Sequence, residues 1–324
     1  MLEFLKKLVT NPTFWWVFGA VVVSGILLWI ASYFVGSYFV YINTLSRTSK
    51  KQWRREVPSN SARDTVEMFE TGVAWAKKNV EYKKDVQITR DGLNLYGEYY
   101  DFGYDRCAMI LSGRTEGLCY GYYFAIPYAA NGCNILVVDP RAHGQSDGKY
   151  NTIGFEESLD DIAWVNFLRD EMGVKSLIFH GICIGAAGGM YASTHENCPD
   201  IVKGIVVEGM FPNFGKSMKN NLKQKKKPVF IVWEMIDVWM KKYTGYSMKF
   251  GPINVIEKLD KPLLMLHSKE DKSSLPEDAQ KLYDLAGTKK KQLVWFEKGK
   301  HSMIRITDTE KYDNTIANFL KELE

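Results

Sequence analysis

A cysteine flanked by glycines is the feature of this sequence with the clearest chemical potential. Cys183 stands in the run Gly181-Ile182-Cys183-Ile184-Gly185, directly after the apolar run SLIFH and directly before the small-residue run AAGGMYAS. A strand, a tight turn and a helix in that order form the setting of a nucleophile elbow, in which a strained backbone lifts the nucleophile out of the sheet. The two glycines would remove Cβ atoms that otherwise collide where strand and helix pass. We therefore expect Cys183 to be an attacking thiolate; a buried structural cysteine is the alternative.

Two further loops carry the acid and the histidine that such a nucleophile needs. Lys269-Glu270-Asp271 follows the apolar run PLLMLHS, and His301 follows the run QLVWFE. We expect Asp271 to orient the imidazole of His301, with the adjacent Glu270 as the rival acid. His301 would then take the proton of Cys183 and later return it. The chain order of nucleophile, acid and histidine is one in which hydrolytic triads occur.

Attack on a carbonyl also requires two backbone N–H groups that stabilise the developing oxyanion. One should come from Ile184, immediately after the nucleophile. The other should come from the loop 112–117, at the end of the apolar run CAMILS. Arg114 is the expected donor in this loop and Thr115 is the second choice. A flexible surface turn is the alternative interpretation of the loop.

The elements that must position these loops alternate from residue 85 onward. Strand-like runs lie at 86–89, 93–100, 107–112, 134–139, 176–180, 204–209, 262–268 and 292–297. Helix-like runs lie near 118–130, 157–171, 184–195, 276–286 and 308–322. Several of the strands are short and apolar throughout, which is typical of strands buried on both faces. The pattern predicts an α/β fold with a mostly parallel, eight-stranded sheet.

One segment, 210–258, interrupts this alternation and is too long for an ordinary connection. It begins with a lysine-rich stretch and continues as VFIVWEMIDVWMKK, which predicts a helix. Glu234, Asp237 and Lys241 share one face of that helix, and nearly all of its other residues are apolar. Such a helix needs a broad apolar surface to pack on. We expect either an inserted helical lid over the active site or a plain packing insertion.

An uncharged, apolar run at 14–42 precedes these elements. As a helix it would be about 44 Å long, which exceeds the ~30 Å hydrocarbon core of a bilayer. Trp15 and Trp16 lie at one end and Tyr38 and Tyr41 at the other, where amphipathic rings meet the membrane surface. A cleaved signal peptide would have a shorter apolar region. The run therefore predicts one retained transmembrane helix.

Flanking charges bear on the orientation of this helix. Two lysines precede the run, and five basic residues follow it within 47–55. The positive-inside rule then predicts a single-pass membrane protein with a cytoplasmic catalytic domain, and an extracellular domain stays open as the alternative. The five cysteines agree, because their number is odd and no pair has CxxC spacing, which favours reduced thiols.

Composition excludes several functional classes. The chain has 324 residues, 46% of them hydrophobic, and a net charge of +4. These values argue against a disordered protein, a disulfide scaffold and a polytopic transporter. The charge is too small and too evenly spread to indicate a nucleic-acid partner. No GxGxxG after a strand, P-loop, HExxH or paired His/Cys spacing is present, so we expect no cofactor and no metal.

From about residue 86 to 322 the chain resembles the α/β-hydrolase superfamily. In pattern it is similar to a membrane-anchored bacterial branch described as serine aminopeptidase-like or dienelactone-hydrolase-like. The matching segments are DGLNLYGEYY, LSGRTEG, VVDPRAHGQSDG, GICIGAAGG, LMLHSKEDKSSLP and EKGKHS. The resemblance implies an α/β-hydrolase fold with helices on both faces of the sheet. It also implies that Asp139, Arg141 and His143 are loop scaffolding.

Two positions depart from the family pattern. Ser112 stands where the family often has histidine, which implies a different support for the oxyanion loop. Cys183 replaces the commoner serine. Similar cysteine boxes occur in dienelactone hydrolases, some acyltransferases and polyhydroxyalkanoate synthases.

Together these features predict three parts: an N-terminal segment 1–42 with the transmembrane helix, a connector with a juxtamembrane helix at 43–84, and a hydrolase domain at 85–324. The expected function is cleavage of an ester, thioester or amide through a covalent acyl-enzyme. An acyltransferase with the same triad is the first alternative. A non-catalytic, membrane-tethered binding protein is the second. The expected partners are a small-molecule or lipid-like acyl substrate and the membrane.

Overall fold

The computed structural model describes residues 3, 7, 9–48, 53, 55–57, 61–226 and 232–323. Helix α1 (Pro12–Leu45) begins at Asn11, whose side chain accepts a hydrogen bond from the Thr13 N–H. By length and composition, α1 is the one helix of the described ranges that could cross a membrane, and no residue of its most apolar window is buried. A membrane anchor and a signal sequence share these properties.

Eight strands form one sheet in the order β1-β2-β4-β3-β5-β6-β7-β8. They are β1 (Lys83–Arg90), β2 (Leu93–Tyr100), β3 (Arg106–Leu111), β4 (Asn134–Val138), β5 (Ser176–Ile182), β6 (Val202–Glu208), β7 (Leu263–Ser268) and β8 (Lys291–Phe296). β2 pairs antiparallel with β1 and with β4, and all other neighbours are parallel. The predicted mostly parallel, eight-stranded sheet is confirmed.

Helices cover both faces of this sheet. They are α2 (Arg63–Lys78), α3 (Leu118–Ala129), α4 (Phe155–Asp170), α5 (Ile184–Thr194), α6 (Phe214–Gln224), α7 (Val232–Thr244), α8 (Pro276–Leu285) and α9 (Thr309–Glu322). Successive side chains of a strand point to opposite faces. On β5, Phe179 accordingly packs in a core with α4, α5 and α8, whereas Ile178 packs in a second core with α3 and α9.

The insertion between β6 and β7 contains α6, α7 and two short 3-10 helices, Pro252–Asn254 and Ile256–Lys258. The start of the predicted helix in VFIVWEMIDVWMKK lies outside the described residues. Within α7, Asp237 is buried; its carboxylate accepts hydrogen bonds from the Ser247 hydroxyl at 2.9 Å and the Met248 N–H at 2.6 Å. A polar residue of the helix thus fixes the turn that follows it.

The last turns of α1 pack against α7. Tyr41 and Leu45 are fully buried, in contrast to the exposed apolar residues earlier in the helix. The Trp239 ring lies 4.4 Å from the Phe34 ring between centroids, and its indole N–H donates to the Ser37 hydroxyl at 3.1 Å. The carboxyl end of α1 is therefore part of the packed domain.

The residues that follow α1 are also fixed to the domain. The Arg47 N–H donates to the Lys149 carbonyl at 2.7 Å, and the Asn151 N–H donates to the Leu45 carbonyl at 2.9 Å. The short segment 44–48 therefore runs along the loop 139–151, which follows β4.

Candidate active site

Cys183 lies in the tight turn between β5 and α5, with φ 55° and ψ −110°. A positive φ is costly for a residue with a side chain and is frequent at functional sites. The two neighbouring glycines are required by space. A Cβ at Gly185 would lie 2.0 Å from the Leu111 carbonyl oxygen, and one at Gly181 would lie 2.5 Å from the Ala186 Cα. The predicted strand–turn–helix elbow is present, and Cys183 is partly exposed at its tip.

His301 follows β8, and Asp271 follows β7. His301 Nδ1 and Asp271 Oδ2 are 2.7 Å apart. The Asp271 side chain is almost fully buried, and its other oxygen accepts hydrogen bonds from the N–H groups of Ser273 and Ser274, at 2.8 and 2.9 Å. These amides hold the carboxylate in a fixed orientation toward the imidazole.

Glu270, the rival acid in the sequence, points elsewhere. It is exposed, and its carboxylate accepts a hydrogen bond from the Gly299 N–H at 3.2 Å. The structure therefore pairs His301 with Asp271 and gives Glu270 a contact within the histidine loop.

The imidazole also interacts with Cys183. Burial by itself lowers the pKa of His301, but the negative charge on the Cys183 sulfur and the hydrogen bond to Asp271 outweigh it and hold this pKa well above its usual value. For Asp271, burial raises the pKa, and the bond to His301 reverses this so that the net direction is down. The interactions with Cys183 and Asp271 thus favour the protonated imidazole.

Gly209, at the end of β6, makes room for the imidazole. Its φ is +61°, and a Cβ built there would lie 3.0 Å from His301 Cε1. The backbone of β6 also supports the elbow, because the Cys183 N–H donates to the Glu208 carbonyl at 2.9 Å.

The loop 112–117 lies beside Cys183. A Cβ at Gly113 would be 3.6 Å from the Cys183 Cβ. The Gly113 N–H donates to the Glu116 carboxylate at 3.1 Å, and the Thr115 N–H donates to His143 Nε2 at 3.2 Å. Thr115, the second choice for the oxyanion donor, thus has its amide engaged.

The other two candidate donors, Ile184 and Arg114, keep their backbone N–H groups free of hydrogen bonds to any residue that the structure describes. Ile184 is the first residue of α5, so its amide is among those that a helix start leaves without an internal partner. Both amides flank the elbow turn, where an oxyanion would form.

His143 supports the loop 112–117. It is fully buried, stacks on the Trp53 ring and contacts the Arg141 carbonyl through Nδ1 at 2.9 Å. Burial lowers the pKa of His143 to about 4, so the ring is neutral and can accept the Thr115 N–H at Nε2. A histidine from the loop 139–151 thus supports the loop 112–117, whereas position 112 itself is a serine.

Asp139 and Arg141 act as scaffolding, as the resemblance implied. Asp139 accepts hydrogen bonds from the Leu118 and Gln145 N–H groups at 2.8 and 2.9 Å. Arg141 binds the Asp160 carboxylate through two nitrogens, at 2.7 and 2.6 Å.

Two further carboxylates, the partly buried Glu116 and the buried Glu208, lie near the site and were not predicted from the sequence. Glu116 contacts the Gly113 amide, and Glu208 accepts a hydrogen bond from the Tyr312 hydroxyl at 2.8 Å. Burial raises the pKa of Glu208 to about 7. The signal for Glu208 was available, since it is a charged residue at the end of the otherwise apolar run GIVVEG.

All five cysteines are free thiols. Within the described ranges, no group of three or more His, Cys, Asp or Glu side chains is arranged to hold a metal ion.

Comparison with known sequences gives two matches. A family model described as the alpha/beta hydrolase fold matches residues 109–230. The uncharacterized protein YqkD of Bacillus subtilis (strain 168) is 31% identical over 196 residues. That match covers 59% of this chain and 63% of the relative, so the chain spans less than two thirds of the relative's length.

Solved structures resemble this protein over a larger share of the chain. The Pyrococcus furiosus esterase Pf2001 has a TM-score of 0.66 at 22% identity, covering 83% of this chain and 97% of the esterase. The Exiguobacterium antarcticum esterase EaEST has a TM-score of 0.56 at 16% identity, covering 74% of this chain and 100% of that chain. At such identities the likeness is one of fold. Taken with the strand order and the elbow, these matches show that this protein has the fold of the α/β-hydrolase superfamily.

Proposed function

We propose that the protein is a hydrolase that cleaves a carboxylic ester, thioester or amide through a Cys183–His301–Asp271 triad. The observation that carries this proposal is the 2.7 Å contact between His301 and Asp271, made by an imidazole that also interacts with the thiol at the elbow. A nucleophile, a base and an orienting acid are the three parts that covalent acyl transfer needs. Two of the structural neighbours are esterases, which agrees with this chemistry.

In the acylation step the Cys183 sulfur attacks the substrate carbonyl carbon, and the carbonyl electron pair moves onto oxygen. The N–H groups of Ile184 and Arg114 stabilise that oxyanion. The tetrahedral intermediate collapses, the bond to the leaving group breaks, and the imidazolium of His301 gives the leaving group its proton. The product is a thioester on Cys183.

In the deacylation step His301 removes a proton from water, and the resulting hydroxide attacks the thioester. Collapse of the second intermediate releases the carboxylic acid, and the proton held by His301 balances the charge on the sulfur. Asp271 stays ionised and keeps Nδ1–H directed toward itself, so that Nε2 exchanges the proton.

The direct test is a panel of acyl esters, thioesters and amides incubated with the full chain in detergent. Native protein, Cys183→Ala and Cys183→Ser are compared with Cys198→Ala, which changes a partly buried cysteine of the loop before β6. We expect Cys198→Ala to keep native turnover and Cys183→Ala to lose it. Native turnover by Cys183→Ala would refute the proposal.

We further propose that α1 anchors the protein in a membrane, with the domain on the cytoplasmic side. Support comes from the exposed apolar surface of α1 and from tyrosines and a tryptophan where it enters the domain. Lys242 lies over the Trp239 and Tyr243 rings at 5.1 and 5.7 Å, as expected of a cation near lipid head groups. Labelling of Lys242→Cys in intact cells and in inverted vesicles tests the orientation; we expect labelling by an impermeant reagent in inverted vesicles only.

The surroundings of Cys183 favour an acyl or lipid-like substrate. Cys183 packs against an apolar cluster formed by the end of α1, the insertion and α5, with Tyr41, Met240 and Phe211 among its buried members. Such surroundings also limit water at the thioester, which favours transfer to an alcohol or amine as a second activity. Product analysis with and without an added alcohol decides between the two; transfer products that never exceed hydrolysis would exclude the transferase.

A further inference from the structure

We infer that the carboxyl end of α1 is a positioning element of the active site. The Arg114 guanidinium binds the Thr44 carbonyl in the last turn of α1, and this contact aims the Arg114 backbone N–H at the oxyanion. The inference rests on the proposed function and goes beyond it. It assigns the end of α1 a role in positioning the active site. It also makes Arg114 a positioning residue, which acts through its side chain.

The Arg114–Thr44 contact joins a positively charged side chain to a helix end that carries partial negative charge. Arg114 Nη1 donates to the Thr44 carbonyl at 3.1 Å, and among described residues this is the guanidinium's one hydrogen bond. The last carbonyls of a helix have no partner within the helix and carry partial negative charge. The last turn of α1 contains no basic residue of its own, so Arg114 supplies the cation from outside.

Further contacts hold the helix end and the oxyanion loop to the same support. Arg47, just beyond α1, donates to the Gly144 and Ser146 carbonyls at 2.7 and 3.1 Å. These carbonyls belong to the loop 139–151, whose His143 accepts the Thr115 N–H. The end of α1 therefore contacts both the loop 139–151 and the loop 112–117, and these two loops also contact each other.

In this arrangement the backbone amides on both sides of Arg114 are held by hydrogen bonds. Glu116 holds the Gly113 amide, and His143 holds the Thr115 amide. The Arg114 amide alone of the three is left without a partner among the described residues, and its side chain is anchored to α1. Oxyanion donors act only when they are held at the position of the developing charge, so loss of this anchoring should lower kcat.

The test uses the full chain in detergent micelles with a chromogenic ester. Arg114→Met keeps the backbone amide but removes the contact with Thr44, and Arg114→Lys restores a cation at that position. Arg169→Met is the control, because Arg169 pairs with its neighbour Asp170 on the surface of α4. The rate of Cys183 alkylation by iodoacetamide is measured in parallel, since alkylation needs the thiol and imidazole but forms no oxyanion.

We expect Arg114→Met to lower kcat by about 10- to 100-fold, below the ~100- to 1000-fold loss that follows removal of an oxyanion donor. KM should stay within about twofold of native, and the alkylation rate should fall less than kcat does, because the Arg114 charge also interacts with Cys183. Arg114→Lys should recover most of kcat, and Arg169→Met should match the native protein.

Native kcat in Arg114→Met would overturn the inference. If Arg114→Met also loses alkylation, the Arg114→Lys variant is the deciding measurement. A kcat of Arg114→Lys within tenfold of native supports the inference. Background turnover by Arg114→Lys with normal alkylation overturns it. Failure of the proposed function looks different, because the native chain would then hydrolyse no ester, or Cys183→Ala would hydrolyse it equally well.

Discussion

The imidazole of His301 contacts the Asp271 carboxylate and interacts electrostatically with Cys183, and both interactions raise its pKa. Asp271 is held by two backbone amides and cannot turn away, so the orientation of the ring follows from the loop after β7. Residue types and chain order were enough to predict that His301 and Asp271 would meet. The choice between Glu270 and Asp271 was not predictable with certainty, because it depends on the turn formed with Ser273 and Ser274.

We expect Asp271→Asn to reduce kcat by roughly 10³-fold or more, because an amide cannot hold the imidazole in the same tautomer. Glu270→Gln is the matched control, since its carboxylate contacts only a loop amide, and it should change kcat by less than about threefold. Steady-state ester hydrolysis by the two variants measures the difference. Equal losses in both would contradict the assignment of Asp271.

At the scale of elements, the elbow depends on how closely α5 approaches β3 and β5. Local composition was sufficient to predict this approach, because only glycine fits at both crossing points and the sequence provides it. The support of the oxyanion loop was not predictable in the same way. Thr115 and His143 are separated by 28 residues, and which amide each loop leaves free follows from tertiary contacts.

Gly185→Ala should destabilise the domain by about 3 kcal/mol, because its Cβ would collide with the backbone of β3 and no flexible side chain can move away. Gly188→Ala, in the same helix, is the control: its Cβ would meet the nearest atom, an Asp161 oxygen, at 3.4 Å. Its free energy of unfolding should stay within about 1 kcal/mol of native. Urea denaturation followed by circular dichroism compares the two; similar values would contradict the tight crossing.

The neutral His143 makes stability depend on pH. Its pKa is about 4 in the fold and about 6.5 in an unfolded chain, so only the unfolded state binds a proton between these values. The free energy of unfolding therefore falls as pH falls from 6.5 toward 4, by on the order of 2 kcal/mol at pH 5. His143→Gln should show a smaller loss between pH 7 and pH 5 in urea titrations. An unchanged pH dependence in this variant would show that His143 is not responsible.

At the scale of the whole molecule, α1 and the hydrolase fold are joined rather than loosely tethered. The sequence indicated a membrane helix and an apolar insertion helix, and α7 indeed packs on α1. Which faces meet was not predictable, because nearly every residue of α1 is apolar and its pattern has no polar side to exclude. The contacts of Trp239 and Arg114 with α1 span more than 65 residues of sequence and arise from the fold.

Trp239→Ala should loosen α7 from α1 and lower the free energy of unfolding by about 2 kcal/mol. This is less than the loss for a fully buried tryptophan, because Trp239 is only partly buried. Cleavage by trypsin at Lys241 and Lys242 should then become faster. Trp16→Ala is the matched control, since that ring is 81% exposed on α1. Equal cleavage rates in the two variants would contradict a structural role for the α1–α7 contact.

The most direct test of the proposed covalent mechanism is the intact mass of the full chain. The chain is mixed with a slowly hydrolysed acyl ester and then quenched in acid. We predict a mass increase of one acyl group, located on Cys183 by peptide mapping and removed by neutral hydroxylamine, as a thioester would be. Asp271→Asn should accumulate the same adduct more slowly, and Cys183→Ala should not form it. Ester turnover with no adduct on Cys183, or turnover unchanged in Cys183→Ala, would contradict the account.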